Sequence, residues 1–195
     1  MDVKLLNDQQ LINEYLQGDE KAFEVLLQRH KDKIYTSIYL FVKDTNLAED
    51  IFQDVFIKIV DTLRKGKYNH EGKFLQWAMR IAYNMCVDHF RKGKKRTKVS
   101  GTESFDIFDV LKCEDDNMED SIINSQIHKN IRELVDNLPE EQREVVILRH
   151  YADMSFKEIS QMTNVSINTA LGRMRYALIN MRKEIEHRSY AFQQA

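Results

Sequence analysis

The chain has 195 residues, 43% of them hydrophobic, enough for real cores in one ordinary domain or two small ones and too apolar for a disordered tail. With only 6 glycines and 1 proline it has little to punctuate short strands and tight turns, which argues against an all-β or α/β fold. Its net charge of −2 hides segregation: residues 1–62 carry 7 basic and 12 acidic groups, 78–98 carry 7 and 1, 103–120 carry 1 and 8, and 166–188 carry 5 and 2, so separate segments are expected to meet separate partners.

No apolar run approaches the roughly 20 residues of a membrane span, and the start MDVKLLNDQQ lacks the basic head and apolar core of a secretory signal. A cytoplasmic protein with no direct membrane insertion is expected. Cys86 and Cys113 stand 27 apart with no CxxC partner, which supports neither a disulfide framework nor a zinc knuckle. The six histidines never recur at i, i+4, and no carboxylate cluster accompanies them, so neither a metal nor a cofactor is expected.

The first module opens at Asp19, placed to cap a helix whose apolar stripe is Ala22, Phe23, Leu26, Leu27, Ile34, Ile38 and Phe41. The next helix starts near Asp44 or Asn46 and runs to Gly66, with Ala48, Phe52, Val55, Ile59 and Leu63 buried. On that helix Asp50, Gln53, Asp54, Ile57 and Asp61 fall at i, i+3, i+4, i+7 and i+11, one acidic face with an apolar residue set into it. Such a face repels DNA and suits a basic protein groove, although an ordinary solvated helix side has the same pattern.

After a loop from Gly66 to Gly72, a helix from Phe74 to Arg91 ends in the basic run Arg91-Lys-Gly-Lys-Lys-Arg-Thr-Lys98. Here Tyr68, Phe74, Trp77, Tyr83 and Phe90 interleave with Lys67, Lys73, Arg80, Arg91 and Lys92. A surface that holds single strands needs that mixture, aromatic rings to stack on bases and cations to hold phosphates. Phe74, Ile81 and Phe90 are assigned to the core first. Residues 97–120, carrying the acidic ESFDIFDVLKCEDDNMED, read as a flexible linker.

The second module opens with a helix bearing Ile122, Ile123, Ile127, Ile131, Leu134 and Val135, then turns at Asp136-Asn-Leu-Pro139. Pro139 suits a first helical position, whose amide has no intrahelical partner, and Glu140 and Glu141 suit a positive helix N-terminus. Residues 155–181, SFKEISQMTNVSINTALGRMRYALINM, divide into a short helix, a tight turn and a longer helix, a helix-turn-helix. The turn wants a left-handed residue near Asn164, and Ser166 stands as N-cap of the second helix with Thr169 three residues on. Ala170, Met174, Ala177, Leu178 and Met181 share the face expected to pack. Asn168, Leu171, Gly172, Arg175 and Tyr176 lie opposite, with Arg173 at the edge. A helix in the major groove reads base edges from such a face while arginines bind phosphate or guanine. Gly172 costs about 1 kcal/mol relative to alanine inside a helix, and close approach to a DNA backbone would explain it.

GDEKAFEVLLQRH, NLAEDIFQDVFIKI and FLQWAMRIAYNMCVDHFRK in the first module resemble region two of the sigma-70 family, in its extracytoplasmic-function group. NLPEEQREVVILRHYADMSFKEISQMTNVSINTALGRMRYAL resembles region four. The resemblance implies an all-α protein with sigma region two over 8–96, a linker over 97–120 and sigma region four over 121–188. It implies a bacterial transcription initiation factor that binds core RNA polymerase, directs it to promoter DNA and melts the minus-ten element. By this resemblance Asp50, Gln53, Asp54, Ile57 and Asp61 bind polymerase. Trp77, Arg80, Asn84, Asp88 and Arg91, followed by Lys92, Lys94, Lys95 and Arg96, meet the minus-ten region, with Asn84 the first choice for a base-edge contact. Ser166, Asn168, Thr169, Leu171, Gly172, Arg173, Arg175 and Tyr176 would meet the minus-thirty-five element. It further implies an anti-sigma factor, anchored in a membrane.

The chain departs from the family's usual helix-turn-helix at Ser160, Asn164 and Ala170 without breaking its geometry, and Leu171-Gly172 replaces a more polar pair. The alternative is a stand-alone helix-turn-helix transcriptional regulator. It would want an enclosed pocket or a self-complementary apolar face in residues 8–92, where the sequence has an acidic face and an aromatic-basic helix instead. A nucleic-acid enzyme would need clustered carboxylates or a nucleophile and base pair; neither is evident, so the chain is not expected to be an enzyme.

Overall fold

A computed structural model describes residues 3–69, 72–93 and 130–193, with side-chain surroundings up to residue 187. The expected linker at 97–120, the apolar positions Ile122, Ile123 and Ile127, and the basic residues Lys94, Lys95 and Arg96 lie outside the described residues. Among the described residues every regular element is helical. A 3₁₀ turn at Val3–Leu5 leads into α1 (Asp8–Leu16), α2 (Glu20–Val42), α3 (Thr45–Arg64) and α4 (Phe74–Gly93); α5 (130–136), α6 (Glu140–His150), α7 (Phe156–Thr163) and α8 (Ile167–Gln193) follow. The chain divides into two compact units, one holding α1–α4 and one holding α5–α8.

In the first unit α2 lies at the centre, packed against α1, α3 and α4. Its ends are set locally. The Asp19 carboxylate accepts from the Lys21 amide at 3.0 Å, and the helix stops at Lys43, a left-handed residue at φ 55°. Asp44 caps α3 by accepting from the Leu47 amide at 3.0 Å, so of the two expected starts the structure uses Asp44. Leu26, Ile34, Ile38 and Leu40 of α2 and Val55, Ile59 and Leu63 of α3 are fully buried with Phe74, Ala78, Met79 and Ala82 of α4. Burying each large aliphatic side chain contributes about 1.5–3 kcal/mol. Cys86 belongs to this core, and burial pushes its thiol up to about 12, so it packs as an apolar group.

The sequence reading did not include α1. Asn7 and Gln10 form a reciprocal capping box, each side chain accepting the other's amide at 2.9 Å. Leu11, Ile12 and Tyr15 then turn inward.

In the second unit Val145, Ile147 and Leu148 of α6, Ile159 of α7 and Ala170 and Ala177 of α8 make the core. Pro139 stands one residue ahead of its expected position: its carbonyl accepts from the Gln142 and Arg143 amides at 2.9 Å, and Glu140 and Glu141 form the first turn of α6. A second capping box, Ser155 with Glu158, opens α7.

Candidate nucleic-acid interface

The turn between α7 and α8 is built as its residue types dictate. Asn164 takes the left-handed conformation, φ 56° and ψ 43°, and the Val165 amide reaches back to the Ser160 carbonyl at 3.0 Å. Ser166 accepts from the Thr169 amide at 3.0 Å, and the two hydroxyls lie 2.8 Å apart. Ser166 at the N-cap and Asn168, Thr169 and Arg175 in the first three turns of α8 are exposed, and Leu171 and Tyr176, the latter 61% exposed, share that side. A Cβ added to Gly172 would meet nothing within 4 Å, so no described group of this chain requires the glycine.

Two placements on α8 correct the sequence reading. Leu178, expected to pack, is 52% exposed; among the described residues of α8 only Ala170 and Ala177 are fully buried. Arg173, expected at the edge of the groove-facing stripe to hold phosphate, has a side chain only 18% exposed. Its guanidinium lies 3.0 Å from Glu141 and 3.7 Å from Glu144 of α6, and these carboxylates satisfy the charge inside the unit.

In the first unit Arg80, Asn84, Asp88 and Arg91 form one exposed stripe along α4, and Lys92 is exposed beside its end. Arg91 and Asp88 approach to 3.9 Å with both side chains mostly in water, a pair too weak to hold either away from a ligand. Trp77 is not on that surface. At 9% exposure it sits edge-on to Tyr68, ring centres 4.7 Å apart, and beside Phe74 at 5.8 Å, because the first turn of α4 aims its large rings inward. Phe90, assigned to the core, is instead 42% exposed near the end of α4, and Ile81 is half-buried.

On α3, Asp50, Gln53, Asp54 and Ile57 are exposed together, Ile57 to 67%. Asp61 differs from its neighbours: Lys65, 2.7 Å away, donates to its carboxylate and holds it below the usual carboxylate range. Among the described residues the face therefore presents two aspartates without an ion-pair partner, an amide and an exposed isoleucine, and one aspartate already paired.

A further polar group was missed. Asp8 bonds Arg29 at 2.6 Å and His30 at 2.7 Å, and Arg29 also donates to the Leu6 carbonyl at 2.8 Å. Burial works against the Asp8 charge, but the hydrogen bonds from His30 and Arg29 outweigh it and hold the carboxyl below its ordinary value. The partners lie 21 and 22 residues from Asp8, a separation that no local pattern marks. Among the described residues no group of three or more His, Cys, Asp or Glu side chains is placed to hold a metal. No described helix is long and apolar enough to cross a membrane.

Comparison with known proteins gives this arrangement a family. The model for sigma-70 region 2 matches residues 26–97, and that for sigma-70 region 4 matches residues 128–175. The chain is 28% identical over 178 residues to the ECF RNA polymerase sigma factor SigW of Bacillus subtilis, covering 89% of this chain and 94% of SigW. It is 28% identical over 172 residues to the RNA polymerase sigma-H factor of Pseudomonas aeruginosa, covering 86% and 88%. To the ECF RNA polymerase sigma-E factor of Escherichia coli K12 it is 26% identical over 174 residues, covering 87% and 89%. Among solved structures it resembles the sigma factor RpoE in complex with the anti-sigma factor NepR from Bartonella quintana, with TM-score 0.62, 14% identity and coverage of 85% and 98%. It also resembles CnrH in complex with the cytosolic domain of CnrY, with TM-score 0.58, 19% identity and coverage of 92% and 97%. At these identities the structural likeness is one of fold.

Proposed function

The chain belongs to the sigma-70 family of RNA polymerase sigma factors, in its extracytoplasmic-function group, and from that premise we propose how its residues divide the work of initiation. Residues 8–96 serve as region two, 97–120 as the linker and 121–188 as region four. The α3 face of Asp50, Gln53, Asp54, Ile57 and Asp61 docks on a basic groove of core RNA polymerase. Ile57 enters the contact and the aspartates meet its cations.

The exposed stripe of α4, Arg80, Asn84, Asp88 and Arg91, takes the minus-ten element as it opens, with Lys92, Lys94, Lys95 and Arg96 holding phosphates. Asn84 is suited to a base edge because its amide both donates and accepts. Trp77 supports this surface from beneath. In region four, α8 enters the major groove at the minus-thirty-five element, with Asn168, Thr169, Leu171, Gly172, Arg175 and Tyr176 against DNA and Ser166 near a phosphate. Arg173 braces α8 against α6.

The observation that carries this reading is the pairing of a DNA-repelling acidic face on α3 with a cationic polar stripe on α4 in the same small unit. A surface built for DNA alone would not carry the first. The stand-alone regulator finds no support, since the relatives that match both modules are named as sigma factors. The polymerase makes the RNA and this chain performs no chemistry of its own. It acts in the cytoplasm, where promoter DNA is. An anti-sigma factor holds it there until a signal arrives, a reading supported by the fold shared with the sigma factor bound by NepR.

The test is assembly. The full chain and core polymerase, mixed and separated by size, should co-elute and retain promoter fragments that neither retains alone. Elution of the two as separate species would defeat the reading.

A further inference from the structure

The half-buried Asp8 carboxylate reaches the start of α4 through one intermediary, His30. Asp8, the first residue of α1, is bonded to His30 of α2 at 2.7 Å, and the His30 ring lies against Phe74 with centres 5.4 Å apart. Phe74 opens α4 and is flanked by Trp77 at 5.8 Å and Tyr68 at 6.3 Å, while Tyr68 and Trp77 meet edge to face at 4.7 Å. The Trp77 amide makes an early bond of the helix, to the Lys73 carbonyl at 3.1 Å. This aromatic knot sits at the start of α4. Burial and the nearby Asp8 charge push the Tyr68 hydroxyl up to about 12, so the ring stays neutral in its place.

Apolar cover alone would hold α4 on the core. Placing an aspartate and a histidine behind it costs desolvation, and what they add is directional bonding, which resists the sliding that apolar contacts allow. We propose that Asp8 and His30 are positioning residues for α4: the hydrogen bond between them fixes the Tyr68–Phe74–Trp77 knot and thereby the direction in which α4 presents Arg80, Asn84, Asp88 and Arg91 to promoter DNA. The inference rests on the reading of α4 as the minus-ten helix.

Trp77 is the only tryptophan in the chain, so its emission reports the knot alone. The experiment uses the full chain with core polymerase and compares Asp8→Asn, His30→Gln and His30→Leu. Helical circular dichroism and Trp77 emission are measured on the full chain by itself, and polymerase retention and 2-aminopurine fluorescence in the minus-ten strand on its assembly with core polymerase. Asp8→Asn should leave dichroism and retention intact, shift the Trp77 emission and lower promoter opening roughly tenfold, within what misplacing a positioned group costs. His30→Gln keeps a donor for Asp8 and should retain most opening, whereas His30→Leu keeps apolar cover without the donor and should lose it.

Wild-type opening by His30→Leu, or unchanged emission and opening in Asp8→Asn, would overturn the proposal. So would losses of opening that merely track losses of dichroism or retention, since these would make the pair a support of the fold. Failure of the wild-type assembly to open any promoter would instead defeat the reading of α4, and Trp77 emission in the variants would still decide whether the pair holds the knot.

Discussion

The Arg173 guanidinium lies 3.0 Å from the Glu141 carboxylate, joining α8 to the first turn of α6. Two residues on, Arg175 is exposed. Two arginines separated by one residue in the sequence are thus divided: Arg173 holds the helix and Arg175 is open to solvent.

Their variants should differ in kind. Arg173→Ala should cost the region-four unit roughly 1 kcal/mol in thermal unfolding, a value between those of exposed and buried ion pairs, and weaken binding to all promoters alike. Arg175→Ala should leave unfolding unchanged and alter base preference by about 1–3 kcal/mol. A promoter library assayed beside calorimetry separates them, and identical profiles would refute the division.

Gly172 offers a case where stability and function part. With nothing within 4 Å of an added Cβ, Gly172→Ala should stabilise α8 by about 1 kcal/mol. The same methyl should weaken promoter binding by the assembled polymerase, because the proposed contact brings DNA into that open space. Equal or tighter binding by the stabilised variant would show that the glycine has no part in the contact.

What the sequence revealed and what it hid have physical reasons. The caps at Asp19, Asp44, Ser155 and Ser166 and the left-handed Asn164 depend on residues within a turn of each other, and local pattern suffices to place four of these five, Ser155 being the one the reading passed over. Helix α1 is announced by a local signal as well, the Asn7–Gln10 capping box, but the reading opens the module at Asp19 and leaves it out. Trp77, Phe90 and Leu178 were placed on the wrong side because a helical wheel gives a face but not where its neighbours end. The pairs Asp8–His30 and Arg173–Glu141 come from distant stretches, so only the fold brings them together.

The α3 face should act as one docking surface. Asp54→Arg is expected to abolish retention on core polymerase while the helical circular dichroism stays unchanged, since Asp54 is exposed and has its charge reversed against a cationic groove. Asp61→Ala should have a smaller effect because Lys65 already compensates that carboxylate. Retention of the Asp54→Arg protein would remove the face from the interface.

Acid should loosen the first unit through Asp8. Its carboxyl is held below the ordinary aspartate value, so the stabilisation is fully present above that value and is lost as pH falls through the depressed one. Melting temperatures of the full chain measured from neutral pH downward should fall in that range, and Asp8→Asn should flatten this part of the slope. A slope that Asp8→Asn leaves untouched would place the acid sensitivity elsewhere.

Run-off transcription tests the central claim most directly. Purified core polymerase is supplied with a pool of bacterial promoter fragments, with and without the full chain. Discrete transcripts should appear only when the chain is present, start downstream of shared minus-thirty-five and minus-ten sequences, and vanish with Asp54→Arg. Transcripts that are the same with and without the chain, or tight sequence-specific binding of the same fragments by the chain alone at physiological salt, would contradict the account.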